Sequence, residues 1–234
     1  MKILVLLLVA LLLTGCTQQS IEISEPAVET TLPVTEAEPA ADPEQKPKAG
    51  SLPIPDSRIL VAVEDYLPTV PVELKYATSD NFTGQVIYSF DECYLRYGTV
   101  AKLAAVQADL LELGFSLKIW DAFRPVSAQY RLWEVCPDRR YVADPRIGFS
   151  DHSRGNTVDV TLVDAQGREV AMPTGFDDFT ALADRDYSDC PADAASNAQI
   201  LEILMEKHGF SGYKGEWWHF SDIDEYPVEK TFEP

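Results

Sequence analysis

The sequence predicts an α+β fold: a single compact domain with a small, mainly antiparallel sheet flanked by helices, following a signal peptide and a disordered tether. Segments with strand-like alternation and segments with helical periodicity are interspersed, without the regular βαβ order that a parallel sheet requires. The segment 53–234 is long enough to bury a core of its own. No internal repeat is visible, which excludes a solenoid.

Residues 1–15 are predicted to be a lipoprotein signal peptide. Lys2 supplies a positive start and residues 3–13 form an unbroken apolar run, which is shorter than the ~20 residues of a membrane-spanning helix. The run ends in a Leu-Thr-Gly-Cys sequence that resembles the lipobox of bacterial lipoproteins. We therefore expect lipidation at Cys16, and a chain that is exported and anchored to the cell envelope. The alternative is an ordinary secretory signal with a chance cysteine.

Residues 16–52 are predicted to be a disordered tether that begins at the lipidated Cys16. The stretch is rich in Glu, Pro, Thr and Ala and poor in aromatic residues. Such a composition buries too little apolar surface to offset the entropy lost on ordering. The folded domain is therefore expected to begin at about residue 53 and to extend to residue 234.

Charge and cysteine content restrict the chemistry. The formal net charge of −19 argues against nucleic acid or an anionic membrane surface as a partner. Cys93, Cys136 and Cys190 follow Cys16 without Cys-x-x-Cys spacing, which argues against a thiolate zinc site. Export permits disulfides, but an odd number leaves at least one thiol unpaired.

The first half of the domain contains one predicted helix between two predicted strands. Residues 72–77 alternate between apolar and polar and lead into a polar turn, which is typical of a strand. Thr99 is placed to cap a helix that runs to Leu113 and ends at Gly114. Residues 116–120 form a buried strand. The predicted apolar face of the helix consists of Val100, Leu103, Ala104, Leu110 and Leu111.

The second half contains two further predicted helices and two strands. Residues 125–135 and 194–207 have helical patterns, and residues 217–221 form a short final strand. Residues 157–163 alternate, so Asp159 is expected to point away from the core and toward a cleft. Thr157 and Thr161 share the face of Asp159. The predicted inward residues of the last helix are Ile200, Ile203 and Leu204.

Two of the three histidines lie in acidic motifs typical of a metal site. His152 precedes Asp159 by seven positions, and Gly155 between them allows the chain to turn so that both side chains converge. His219 can supply a third ligand from a distant strand. Two imidazoles and one carboxylate are a ligand set of catalytic zinc, which keeps a further position for water. His208 is instead expected to be structural, since a polar or cationic residue suits a helix C-terminus.

Charged side chains around these ligands indicate hydrolytic chemistry. Glu216 lies three residues before His219 and is the candidate general base. One of the two tryptophans between them is expected to pack inward and the other to line the site. Arg124 follows a buried strand and can stabilise an oxyanion, with Asp121 orienting it. A structural salt bridge between these two is an equally good interpretation.

Together, the motifs resemble those of the D-alanyl-D-alanine dipeptidases, the vancomycin-resistance type of zinc D,D-dipeptidase. The resemblance implies the α+β fold of D,D-peptidases and hedgehog-like domains. Related D,D-carboxypeptidases usually carry Glu-Pro-Trp-His in place of Glu-Trp-Trp-His, so the dipeptidase branch fits better. The resemblance covers nearly all of residues 56–226 and is carried by residues 76–84, 120–125, 150–162, 176–177 and 216–219.

The resemblance implies a role for each site residue. One Zn²⁺ is bound by His152, Asp159 and His219, with Glu216 as base and Arg124 as transition-state stabiliser. The implied substrate contacts come from Ser150, from Asp177 to the substrate ammonium, and from Tyr76 in the same pocket. The implied activity is hydrolysis of D-Ala-D-Ala or related D,D-peptides. The alternatives are a D,D-carboxypeptidase acting on peptidoglycan stem peptides and a non-catalytic wall-binding lipoprotein.

Two features depart from the family pattern. An exported enzyme cannot deplete a cytoplasmic pool of D-Ala-D-Ala, so cell-wall turnover or dipeptide scavenging suits the predicted location better than a direct role in resistance. The segment 183–193 is acidic and has no histidine, unlike the stretch expected there. We therefore expect the pocket rim and the substrate range to differ from those of the family.

Overall fold

A four-stranded antiparallel sheet forms the centre of the computed structural model, which describes residues 54–234. The predicted signal peptide, Cys16 and the tether lie outside the described residues. The helices are α1 (Val63–Tyr66), α2 (Tyr97–Glu112), α3 (Val126–Val135) and α4 (Ala192–Lys207). The strands are β1 (Leu60–Ala62), β2 (Tyr94–Arg96), β3 (Phe115–Asp121), β4 (Thr157–Asp164), β5 (Phe210–Gly212) and β6 (His219–Asp222).

The α+β prediction is confirmed. The central sheet has the strand order β3-β4-β6-β5, and β1 and β2 form a separate antiparallel pair. Every strand pair in the central sheet is antiparallel. Within residues 54–234, no helix is both long and apolar enough to cross a membrane.

The register of the central sheet aligns three polar residues in one row. Asp121 of β3 pairs with Asp159 of β4, and Asp159 pairs in turn with His219 of β6. A register irregularity lies between Ile119 and Asp121 on β3, and such irregularities often re-aim a side chain next to a functional site. The sheet therefore brings residues that are distant in sequence to one place.

Helices α2 and α4 cover the sheet, but their buried faces differ from the predicted ones. Ala104 and Leu111 of α2 are exposed, as is Ile203 of α4. The sheet and the neighbouring helix contact a narrower stripe than the apolar residues of each helix occupy, and single exposed apolar residues are common. The buried residues are Thr99, Val100, Leu103, Val106, Gln107 and Leu110 on α2, and Ala194, Ala198, Leu201 and Met205 on α4.

Thr99 does not cap α2, which begins two residues earlier at Tyr97. The Thr99 side chain is buried, and its hydroxyl donates a hydrogen bond to Asp222 Oδ2 at 2.9 Å. Asp222 lies at the end of β6, so this bond ties the first turn of the helix to the sheet. The residue is polar because of a tertiary contact rather than because of the helix terminus.

The predicted strand at residues 72–77 is wrong. Val72 forms an isolated parallel bridge with Ile119, and residues 75–77 form a 3-10 helix. The polar side chains that follow explain the change, since Thr78 and Asn81 both donate hydrogen bonds to the Lys75 carbonyl. Such local side-chain bonds give the backbone an alternative to a sheet ladder.

The thiols of Cys93, Cys136 and Cys190 are free. Cys93 is completely buried, whereas the other two are partly exposed. No disulfide therefore links any of the three cysteines within residues 54–234.

Candidate active site and metal centre

His152 lies in a short 3-10 helix, Asp151–Arg154, directly before β4. The helix is capped by Ser150, whose hydroxyl accepts a hydrogen bond from the His152 amide, and it ends at Gly155, where φ is +76°. That left-handed conformation strongly favours glycine. As predicted from the spacing, the turn at Gly155 returns the chain into β4 and brings His152 near Asp159.

The His152 ring has one nitrogen available for a metal ion. Its Nδ1 lies 2.8 Å from the Ala122 carbonyl oxygen, which can only accept a hydrogen bond. Nδ1 must therefore carry the proton, and Nε2 presents a lone pair on the opposite side of the ring. A backbone carbonyl that orients a histidine in this way is common behind metal ligands.

The three predicted ligands converge at one point. The candidate ligand atoms of His152, Asp159 and His219 all lie within 4.8 Å of one another. His219 Nδ1 lies 3.4 Å from His152 Nε2 and 3.0 Å from Asp159 Oδ1. Asp159 Oδ1 is nevertheless buried and accepts no hydrogen bond. Two nitrogen atoms and an unsatisfied anionic oxygen fit a divalent metal ion.

The electrostatics of the cluster favour bound positive charge. Burial alone would raise the pKa of Asp159, but His152 and His219 hold it well below its usual range. For His152, burial alone would lower the pKa, but the charges of Asp159 and Asp121 raise it above its ordinary value. Both shifts arise because buried carboxylates surround the imidazoles.

Glu216 lies beside the cluster, in the turn before β6. Its Oε2 is 3.6 Å from His219 Nδ1. Burial, with the charge of Asp159 adding to it, raises the pKa of Glu216 above its ordinary value, although His219 opposes the shift. A carboxylate with a raised pKa is suited to accepting a proton and then releasing it.

Arg124 is buried just beyond β3 and is held by three side chains. Its Nη2 donates to Asp121 Oδ2 at 2.6 Å, its Nη1 to Gln129 at 3.1 Å and its Nε to the Tyr88 hydroxyl at 3.2 Å. Tyr88 in turn donates to Asp121 Oδ1 at 2.6 Å. The predicted orientation of Arg124 by Asp121 and the alternative of a salt bridge describe the same contact.

Tyr88 and Gln129 were not predicted from the sequence. Tyr88 lies in an irregular segment, and Gln129 occupies an ordinary polar position of α3. Both side chains bind Arg124, which lies outside the segment of Tyr88 and outside helix α3, so no local pattern indicates the contacts. The sequence offers one general indication: a buried guanidinium has more N–H donors than a single carboxylate can satisfy, so further polar partners are to be expected.

Buried Tyr76 and partly buried Asp177 form a second group near the candidate metal ligands. The Tyr76 hydroxyl donates to Asp177 Oδ2 at 2.7 Å, and the Arg124 guanidinium lies 4.9 Å from the Tyr76 ring centroid. Burial raises the pKa of Asp177 well above its usual range, and the charges of Asp159 and Glu216 add to the shift, although the Tyr76 hydrogen bond opposes it. Asp177 also has φ of +54°, which is unusual for a residue other than glycine.

Both tryptophans of the Glu-Trp-Trp-His motif are packed inside the protein. Trp217 is 1% exposed and Trp218 is completely buried, so the expectation that one lines the site is wrong. Trp217 packs against Trp120, and Trp218 packs near Phe176. The two residues lie in the turn before β6, where their rings meet edge to face with centroids 5.6 Å apart.

His208 has the structural role predicted for it. It follows α4 directly, and its Nε2 lies 2.6 Å from Asp109 Oδ2 on α2. Lys207 binds the same carboxylate oxygen at 2.6 Å. The group joins two helices at the protein surface.

Comparison with known proteins decides the family. A family model described as D-ala-D-ala dipeptidase matches residues 56–233. The chain belongs to this peptidase family. All the site residues described above lie within the matched segment, and the chain is a hydrolase of the metallopeptidase class, as predicted.

Relatives of the family support this membership. The chain is 39% identical over 165 residues to the D-alanyl-D-alanine dipeptidase of Escherichia coli K12, covering 70% of this chain and 85% of that protein. It is 32% identical over 186 residues to the enzyme of the same name from Enterococcus faecalis V583, covering 70% and 92%.

Among solved structures, the LdcB LD-carboxypeptidase is similar at 19% identity, with a TM-score of 0.40 over 76% of this chain and 70% of that chain. That similarity is too low to bear on the substrate.

Proposed function

We propose that this protein is a zinc-dependent D,D-dipeptidase that hydrolyses D-Ala-D-Ala to free D-alanine. The convergence of His152, Asp159 and His219, with Glu216 at 3.6 Å from His219, carries the proposal. The location is part of it: the enzyme is anchored outside the cytoplasm by a lipid on Cys16 and acts in cell-wall turnover or dipeptide scavenging.

In this proposal His152, Asp159 and His219 hold the zinc, which supplies a positive centre that acidifies water and polarises a carbonyl group. Glu216 accepts a proton from the attacking water and passes it to the leaving amine. Arg124 donates hydrogen bonds to the oxyanion from the second N–H of its terminal nitrogens.

Asp177 supports a dipeptide as the substrate rather than a longer stem peptide. A partly buried carboxylate with a raised pKa is costly to ionise, and a substrate ammonium would restore its charged form. In a D,D-dipeptide the residue that supplies the scissile carbonyl carries a free ammonium. In a stem peptide the same nitrogen is part of an amide. Tyr76 fixes the carboxylate from behind, and Ser150 is a further candidate for substrate contact.

Substitution of Glu216 tests the catalytic proposal. In the full-length zinc-loaded protein, Glu216→Ala should keep stoichiometric zinc and lose ~10²–10⁴-fold in kcat for D-Ala-D-Ala. L-Ala-L-Ala provides the substrate control. Turnover near the wild-type value would exclude Glu216 as the base.

A blocked substrate distinguishes the dipeptidase from the D,D-carboxypeptidase. We expect D-Ala-D-Ala to be cleaved and N-acetyl-D-Ala-D-Ala and a pentapeptide stem to be poor substrates. Asp177→Asn should reduce cleavage of the free dipeptide much more than cleavage of the acetylated one. Preferential release of D-alanine from the stem peptide would favour the carboxypeptidase.

Metal content tests the third possibility, a wall-binding lipoprotein without turnover. Elemental analysis should find one zinc per chain. Absence of stoichiometric zinc together with retained binding of muropeptides would favour that alternative. For the location, Cys16→Ala should abolish incorporation of labelled fatty acid, and labelling that persists in this variant would exclude Cys16 as the anchor.

A further inference from the structure

Arg185 lies in the acidic segment without histidine that departs from the family pattern. Its guanidinium is held beneath the residues that join β5 to β6, here named the β5–β6 turn (residues 213–218). The side chain is only 10% exposed although it is charged. A buried arginine requires several partners, and their identity indicates its role.

Three backbone carbonyl groups of this one region accept hydrogen bonds from Arg185. Its Nε donates to the Tyr213 carbonyl at 2.9 Å, and its Nη2 donates to those of Glu216 at 3.1 Å and His219 at 3.0 Å. Two of these carbonyls belong to the candidate base and to a candidate metal ligand. The planar guanidinium therefore connects the residues whose side chains must meet the metal and the attacking water.

The turn also has backbone hydrogen bonds of its own, including one from the Tyr213 amide to the His219 carbonyl at 3.1 Å. Within it, the Glu216 amide donates to the Tyr213 carbonyl at 3.2 Å and the His219 amide to the Glu216 carbonyl at 3.4 Å, both at the long end of the usual range. The Trp217 amide donates to the Ala183 carbonyl at 2.9 Å, so the segment that carries Arg185 supplies this contact as well. The Val160 amide of β4 donates to the Trp218 carbonyl at 3.0 Å, so β4 and segment 183–185 are the two external backbone supports of the turn.

The guanidinium is itself fixed from two sides. Its Nη1 lies 3.3 Å from Glu202 Oε1 on α4, and its Cζ lies 4.4 Å from the centroid of the Phe220 ring. Gly212 leaves the space that the guanidinium occupies, since a Cβ there would overlap it. The Glu202 carboxylate, the face of the Phe220 ring and the missing side chain of Gly212 together form a site that fits one arginine.

We propose that Arg185 is a positioning residue that sets the placement of Glu216 and His219 for hydrolysis. The proposal rests on the function proposed above for these two residues. Arg185 touches neither substrate nor metal and acts through the backbone of the β5–β6 turn. Displacement of catalytic groups by ~1 Å can reduce a rate by ~100-fold.

Replacement of Arg185 tests this in the full-length metal-loaded protein. Arg185→Met should lower kcat for D-Ala-D-Ala by ~100-fold with little change in KM. Substituted with Co²⁺, the variant should also show an altered visible absorption spectrum, because His219 shifts relative to the metal. Arg185→Lys keeps the charge without the planar fork, so it should restore only part of the rate.

Two further variants separate positioning from loss of stability. Gln107→Ala removes one buried and one partly buried hydrogen bond at the far end of β3 and should lower Tm without changing kcat or the Co²⁺ spectrum. Gly212→Ala keeps Arg185 but displaces its guanidinium, so it should reproduce the spectral change and part of the rate loss. A wild-type spectrum and rate in both Arg185→Met and Gly212→Ala would overturn the proposal.

The Co²⁺ spectrum also keeps this proposal distinct from the dipeptidase proposal. A wild-type protein that does not cleave D-Ala-D-Ala, combined with a changed spectrum in Arg185→Met, would refute the substrate and support the positioning role. In a Glu216→Gln background, Arg185→Met should cost much less in rate than it does alone. Equal rate losses in the two backgrounds would count against the role.

Discussion

The protein contains two groups that combine histidine with aspartate, and only one of them is suited to a metal ion. The surface group joins His208 and Lys207 to Asp109, whose side chain is 26% exposed. The buried group joins His152 and His219 to Asp159, whose side chain is 5% exposed. Residue types alone do not separate the two groups.

Charge balance and satisfaction of hydrogen bonds separate them. At the surface, Lys207 and His208 both bind one oxygen of Asp109, and solvent screens the remaining charge. In the site, Arg124 balances the charge of Asp121, but Glu216 adds negative charge near Asp159, one oxygen of which accepts no hydrogen bond. A buried cluster with excess negative charge requires a cation, whereas the surface group is complete as it stands.

Replacing the aspartate of each group should give the largest difference between the two groups. Asp159→Asn is expected to abolish stoichiometric metal binding and to reduce kcat/KM by at least ~100-fold, the loss already typical of residues behind metal ligands. Asp109→Asn, its matched control, should keep metal content and kcat/KM close to wild type. Elemental analysis and D-Ala-D-Ala assays measure both, and similar losses in the two variants would erase the distinction.

Removal of the metal should have an intermediate effect on stability. At a concentration 100-fold above Kd, a ligand bound by the folded state alone stabilises it by ~2.7 kcal/mol, or ~5–10 °C in Tm for a domain of this size. Chelation should therefore lower the Tm of the wild type and of Asp109→Asn equally, as followed by calorimetry. Asp159→Asn should not respond, and a response equal to that of the wild type would place the metal elsewhere.

Acid should weaken the surface group by a smaller amount. Hydrogen bonds from Lys207 and His208 lower the pKa of Asp109 below its ordinary value of 3.8. A lowered folded-state pKa stabilises the protein above the unfolded-state value, and the stabilisation is lost as the pH falls through the folded-state value. The wild type should thus exceed Asp109→Asn in urea midpoint slightly at pH 7, and the gap should close below pH 3.8. A gap that widens in acid would contradict this sign.

The same contrast explains what could be predicted from the sequence. Spacing within each motif predicts that His152 meets Asp159 and that Glu216 lies near His219, whereas the meeting of the two motifs follows from the resemblance to the family. The structure brings all four together. Strands β3 and β4 and helices α3 and α4 have strong periodic patterns and lie close to the predicted ranges. Local sequence was sufficient wherever one segment contained the whole signal.

Prediction failed where the partner came from elsewhere in the chain. Thr99 resembles a helix cap but binds Asp222, and no local pattern indicates that Arg185 binds the β5–β6 turn. The burial of Trp217 and Trp218 depends on aromatic residues from other segments, Trp120 and Phe176, which no single segment encodes. Which stripe of a helix is buried likewise depends on what packs against it.

The pairing of Asp121, Asp159 and His219 in one row makes catalysis sensitive to strand alignment. A slip of β6 by one residue against β4 would turn His219 to the opposite face of the sheet. Such a protein could keep its helices and its solubility while losing a ligand entirely. An insertion of one residue in the β5–β6 turn would therefore yield folded but inactive enzyme, and turnover becomes a direct report on whether the hairpin has paired correctly.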